Sequence, residues 1–313
     1  VNKKYNAAIY LLSSRTEFIY DCLKNLFDNW NYFFDYPVYV HYFGNIYNRK
    51  FIKKINTEIS NNIHFVKTSH SIPGNIKEID LFYNRKDIPY VCNSFGRDRI
   101  GYLHMEWFVS NITAFGEIGC LSKKLENYDY LMRIDDDSWF KGKIDFDFFD
   151  VAKEYPLVTG FTWNHYNDNI RDTRVELWNF YRNFIADLGI LPKNEVLRTA
   201  IVSNNESLMH NMHWSCGNLN VYSMKHFKNK NWYNFINCVN DFGGQYKYRW
   251  GDIEIIGLYL NTFFSTPMLS LDLREKGVYD PQLPSVTYAP SIKNYGSPLQ
   301  KIGKKIFNMV VKK

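Results

Sequence analysis

The chain has 313 residues, 45% of them hydrophobic and 22% charged, enough apolar side chain to close a full core and exclude intrinsic disorder. A formal net charge of +6, spread along the chain with no basic stripe interleaved with aromatics, excludes a dedicated nucleic-acid module and suits a diphosphate ligand. Five cysteines lacking any CxxC or Cys/His spacing exclude a structural zinc site, and no apolar run reaches the roughly 18 residues of a membrane helix.

The first predicted element is a buried strand at residues 7–14 (AAIYLLSS). Residues 15–30 then carry Phe18, Ile19, Cys22, Leu23, Leu26 and Phe27 at helical spacing. Residues 37–43 alternate as a second strand, 47–59 read as a helix and 63–68 as a third strand. This β-α-β-α-β rhythm predicts a parallel, Rossmann-like nucleotide-binding half over about 7–165.

Residues 72–99, with Pro73, Gly74, Pro89 and Gly96, read as loop. A helix is predicted at 105–125 and a strand at 128–134 that runs straight into three aspartates. A helix at 146–155 and a strand at 156–164 continue the pattern. The second half, about 166–290, is less regular, with helices predicted at 173–188 and 252–264. No repeat and no long linker divides the chain, so residues 1–313 read as a single α/β domain ending in a basic tail from 291. Within that tail, 301–313 (KIGKKIFNMVVKK) reads either as a helix docked by its apolar side or as a peripheral contact with an anionic membrane. Asn111-Ile112-Thr113 and Asn205-Glu206-Ser207 match the glycosylation sequon.

The strongest local signal is Arg133-Ile134-Asp135-Asp136-Asp137. Three consecutive carboxylates repel one another and call for a cation, and hard oxygens suit Mn²⁺ or Mg²⁺ bridging to a diphosphate. Extended alternation puts Asp135 and Asp137 on one side and Asp136 on the other. The second signal is Arg249-Trp250-Gly251-Asp252-Ile253-Glu254, where Asp252 either aims at an acceptor hydroxyl or caps a helix, and Glu254 is a further acid. The third is His213-Trp214-Ser215-Cys216-Gly217-Asn218, in which Trp214 is a stacking ring or a core residue. Arg15, ending the first strand, faces a nucleotide or the solvent.

In this order the blocks resemble the fungal Golgi α-1,2-mannosyltransferases of glycosyltransferase family 15. That family carries Tyr-Tyr-Trp-Arg-Val-Glu-Pro-Asp where this chain has Tyr130 to Asp137, and Arg-Trp-Gly-Asp where it has Arg249 to Asp252. Its Tyr-Arg-Asn-Met-Cys-Arg-Phe is similar to Tyr102-Leu103-His104-Met105-Glu106-Trp107-Phe108, and its Arg-Asn-Ser-Glu to Arg15-Thr16-Glu17 with the preceding Ser14. The resemblance implies a GT-A fold, GDP-mannose as donor, Mn²⁺ as cofactor, and a glycan or glycoprotein acceptor. It implies Asp135 and Asp137 at the metal and diphosphate, and Arg15, Tyr102, Arg133 and Trp214 around the nucleotide sugar.

This chain departs from the family at three places. The metal-contacting glutamate falls on Asp135. The glutamate of the Trp-Ser-Asn-Phe-Glu block falls on Asn218, an amide unable to act as a carboxylate nucleophile. The metal-site histidine falls near Asp280, which substitutes for it if that ligand is kept. These departures leave two routes: retention by front-face attack with Asn218 beneath the donor sugar, or inversion with a UDP-sugar and Asp252 or Glu254 as base. A catalytically silent glycan-binding protein is the reading from another class. The compartment follows the anchor: Golgi lumen if one precedes this segment, cytoplasm otherwise.

Overall fold

The computed structural model describes residues 4–68, 72–84, 100–113, 123–163 and 174–281. β1 (Ala7–Ser13) is buried almost throughout, as its unbroken apolar run requires. α1 (Thr16–Leu26) lays Ile19, Cys22, Leu23 and Leu26 inward and continues as a π-helical turn, Phe27–Asn31, into the short α2 (Tyr32–Phe34). β2 (Val38–Phe43), α3 (Arg49–Glu58) and β3 (Ile63–Thr68) follow, and β1, β2 and β3 pair in parallel as the rhythm predicts. Residues 72–84 form two short 3₁₀ turns, and 85–99 lie outside the described residues.

α4 (Ile100–Asn111) starts earlier than the predicted helix at 105–125, whose later part, 114–122, lies outside the described residues. β4 (Tyr130–Ile134) pairs with the other side of β1. Next come β5 (Trp139–Phe140), α5 (Phe148–Val151), β6 (Leu157–Thr159) and β7 (Thr162–Trp163). The single strand predicted at 156–164 is thus two, parted at Gly160, where a Cβ would lie 3.1 Å from the Leu219 Cβ.

The second half supplies α6 (Leu177–Leu188), α7 (Glu195–Ser203), β8 (Trp214–Ser215), β9 (Leu219–Ser223), α8 (Lys230–Phe242), α9 (Gly244–Lys247), α10 (Asp252–Phe263), β10 (Met268–Ser270) and β11 (Tyr279–Asp280). Its strands do not form a sheet of their own. β9 inserts into the main sheet, whose order is β10-β6-β9-β4-β1-β2-β3, and runs antiparallel to both β4 and β6.

Alternate residues of β1 feed two cores. Ala7, Ile9 and Leu11 join α1 and α3 on one face, and Ala8 and Tyr10 join α4, α6, α7, α8 and α10 on the other. The sequon at Asn111 is closed by packing, since this buried side chain exchanges amide hydrogen bonds with Asn240 at 2.8 and 3.2 Å. Asn205 sits exposed at the start of a 3₁₀ turn. No helix of the described residues is long and apolar enough to cross a membrane, and the basic tail lies outside them.

Candidate active site

The site grows from the end of β4. The strand stops at Ile134 and the chain turns, the Ser138 amide donating to the Asp135 carbonyl at 3.1 Å. Alternation stops with it, so the expected sides are not kept. Asp135 turns towards β9: its amide donates to the Asn218 carbonyl at 3.0 Å, and its carboxylate accepts from Asn218 Nδ2 at 2.8 Å and Arg133 Nε at 3.0 Å. Asp136 turns to the end of β1, accepting from Ser13 Oγ at 2.8 Å and Arg15 Nε at 3.0 Å. Asp137 shares that arginine, accepting from its Nη1 at 2.8 Å.

A second carboxylate reaches the same place from the far end of the sequence. Arg133 Nη1 donates to Asp252 Oδ2 at 2.5 Å, and both side chains are buried. Gly251 is the N-cap of α10 and has no side chain to cap it, so Asp252 opens the helix without serving as its cap. Its backbone amide is taken instead by Glu106 Oε2 on α4, at 2.9 Å. Glu254, one turn position on, is buried and folds back over Gly251, where a Cβ would collide with its carboxylate. The Arg249 guanidinium lies 5.0 Å from the centre of the Tyr102 ring, which fastens the start of α10 to α4.

Burial dominates the electrostatics. It pushes Asp137 up to about 6 against the pull of Arg15, and it raises Asp135 against the pull of Arg133. Burial, then the neighbouring Asp252 charge, lifts Glu106 well above the ordinary carboxyl range. Glu254 is raised by burial, with Arg174 opposing. Burial also works against the Arg133 charge, but Asp135 and Asp252 outweigh it and keep the guanidinium firmly protonated.

The triple-aspartate segment therefore already has two cations, Arg15 and Arg133, where the sequence alone called for a metal. Among the described residues no three His, Cys, Asp or Glu side chains are grouped to hold an ion. Asp135 and Asp137 are nevertheless two mutually repelling hard-oxygen donors, each raised by burial. That donor set fits a divalent cation which takes one or two carboxylates and fills its shell from substrate phosphates, and not one caged by protein alone.

The profile of the glycolipid 2-alpha-mannosyltransferase family matches residues 1–271. The chain belongs to that family. A probable mannosyltransferase, MNT3, of Candida albicans is 24% identical over 273 residues, covering 83% of this chain and 66% of the relative's own length, just under two thirds. Among solved structures, the mannosyltransferase Ktr4p of S. cerevisiae is similar with a TM-score of 0.66 and 17% identity, over 86% of this chain and 69% of that one. Core-mannan synthase A of Aspergillus fumigatus, in its Mn/GDP form, gives 0.67 and 19%, over 86% and 73%. The shared architecture is the GT-A fold.

Within this 2-alpha-mannosyltransferase scaffold, the structure brings together Arg15, Tyr102, Arg133, Asp135, Asp137, Asn218 and Asp252, each tied to another of the group or to Arg249 or Glu106. Three other sequence-predicted residues are placed differently. Trp214 is buried in the core with its ring against Gly257 of α10, so it presents no stacking face. Asp280 lies opposite Trp139 in the β5–β11 pair, and its half-exposed carboxylate pairs with the solvent-facing Lys141 at 3.3 Å. Glu254 packs on Gly251 and does not take part in the Arg133 network. Sequence reasoning missed Glu106. Its signal was a single carboxylate in a helix apolar on nearly every side, which must therefore be buried with it.

Proposed function

We propose that this chain transfers mannose from GDP-mannose to a hydroxyl of a glycan or glycoprotein, with Mn²⁺ or Mg²⁺ as cofactor and with retention at the anomeric carbon. The observation that carries this reading is Arg133, whose guanidinium grips Asp135 on the diphosphate side and Asp252 on the acceptor side. One side chain thus fixes the spacing between donor and acceptor. The family match and the mannosyltransferase names of its relatives support the sugar, and the Mn/GDP form of core-mannan synthase A supports the nucleotide and the cation.

Asp135 and Asp137 would hold the cation, which when bound neutralises the charge of the leaving diphosphate. Arg15 and Tyr102 line the nucleotide side. Asn218 fixes the Asp135 carboxylate and cannot form a glycosyl ester, so attack comes from the leaving-group face. The bond from C1 to phosphate oxygen breaks, the bond from C1 to acceptor oxygen forms on the same face, and the acceptor proton passes to the departing phosphate. Asp252 orients the acceptor hydroxyl. Its Oδ2 already accepts from Arg133 at 2.5 Å, an engagement that suits a positioning role.

The test is incubation with GDP-mannose, a mannoside acceptor and Mn²⁺, following GDP release and the product's anomeric proton by NMR. An α-linked product is expected. A β-linked product overturns retention, and transfer from a UDP-sugar without transfer from GDP-mannose overturns the donor.

A further inference from the structure

Glu106 lies in the block that supplied Tyr102 but was not itself marked, and the reaction above gives it no part. It is 4% exposed, on a helix apolar on nearly all sides. Its Oε2 accepts the Asp252 amide at 2.9 Å. The block it belongs to resembles a family segment that has cysteine at this place.

The charge count around it is short of cations. From α10 it faces Asp252 and, across Gly251, Glu254; from its own helix, Tyr102; from β4, beyond Asp252, Arg133. Arg133 is already divided between Asp135 and Asp252, and the electrostatic pull of Arg174 and Arg249 falls on Glu254. An ionised Glu106 would be a buried anion beside another anion with no cation of its own, an arrangement proteins avoid by keeping the proton.

We infer that Glu106 is a positioning residue for the transfer: it stays protonated, accepts the Asp252 amide on one oxygen and donates its own O–H to the Asp252 carboxylate. Asp252 is then held from two sides, by Arg133 and by Glu106, with its orientation towards the acceptor fixed. Burial and the Asp252 charge both favour the protonated form. The inference rests on the reading of Asp252 as the residue that orients the acceptor.

The first measurement does not need activity. Infrared difference spectra between the wild type and Glu106→Gln at neutral pH, free of metal and nucleotide, should show a protonated carboxyl stretch that the variant lacks. Absence of that band from the difference overturns the inference. In transfer assays Glu106→Leu should raise the acceptor KM roughly tenfold, the loss of one hydrogen bond to a charged group, while GDP stabilises it as it does the wild type. Glu106→Gln, which can still accept one hydrogen bond and donate another, should restore most of that loss. The wild type should also lose activity on an alkaline limb that Glu106→Gln lacks. Equal damage by Gln and Leu, or the same alkaline limb in wild type and Gln variant, overturns the positioning role. A wild type that transfers nothing counts against the transferase reading alone, and the infrared comparison still decides the proton.

Discussion

Arg133 Nη1 donates to Asp252 Oδ2 at 2.5 Å, a buried ion pair that joins the central strand β4 to the first turn of α10 across 119 residues of sequence. Removing one partner of such a pair leaves a bare buried charge. Arg133→Met should therefore destabilise by about 3–5 kcal/mol in urea denaturation. The double variant Arg133→Met, Asp252→Asn should recover part of that loss, because the stranded carboxylate is gone. A double variant as unstable as the sum of the singles would show that the two side chains do not interact.

Asp252→Asn tests how the acceptor is handled. Loss of a general base lowers rates by roughly two to four orders of magnitude. With Asp252 orienting the hydroxyl and tied to Arg133, the expected loss is about tenfold, expressed mainly in the acceptor KM. A fall of kcat by a thousandfold with KM unchanged would assign Asp252 the base and favour inversion.

Asp137 ties stability to pH. Burial raises its folded-state value to about 6, above the unfolded carboxyl range. The metal-free protein therefore has this group's full contribution below about pH 4 and loses it as pH rises through about 6, on the order of 3 kcal/mol. A cation at Asp137 must displace that proton, so Mn²⁺ should raise the melting temperature more at pH 7.5 than at pH 5. Asp137→Asn should flatten the pH slope measured in EDTA and abolish the Mn²⁺ shift. Activity in EDTA equal to that in Mn²⁺ would remove the metal from the mechanism.

Gly257 lies inside α10, where glycine ordinarily weakens a helix by about 1 kcal/mol relative to alanine. Here a Cβ would run into the six-membered ring of the buried Trp214. Gly257→Ala should therefore destabilise, by about 1–3 kcal/mol of overpacking. Denaturation midpoints check the sign, and a stabilised variant would mean that the Trp214 ring has room to retreat.

Much of the first half was legible because its elements obey one period each. β1 to β3 are apolar runs, and α1 shows its inward stripe at Ile19, Cys22, Leu23 and Leu26. The two carboxylate blocks were legible as well, but not their partners. Arg15 and Asp136 are 121 positions apart, and nothing local couples them. β9 was not read as a strand because Asn220 interrupts its short apolar run. That polar side chain is tolerated where the strand is flanked on both sides, with Ser215 and Tyr222 as hydrogen-bond partners. α8 does carry the helical spacing Trp232, Phe235, Ile236, Val239 behind an Asn229 cap, but its asparagines dilute the signal.

A ribosome delivers β1 to β4 well before β9. Between Ile134 and Leu219 it must add 85 residues (219 minus 134), roughly 4–17 s of synthesis. Throughout that interval β4, though destined for the middle of the sheet, has a free apolar edge of the kind that recruits stray strands. Asp135 likewise lacks the Asn218 carbonyl and amide that hold it. The cluster around Arg133 and Asp135 is accordingly a late product of folding, completed only when β9 and α10 arrive. A nascent chain halted at residue 165 would keep that edge open and be a target for chaperones.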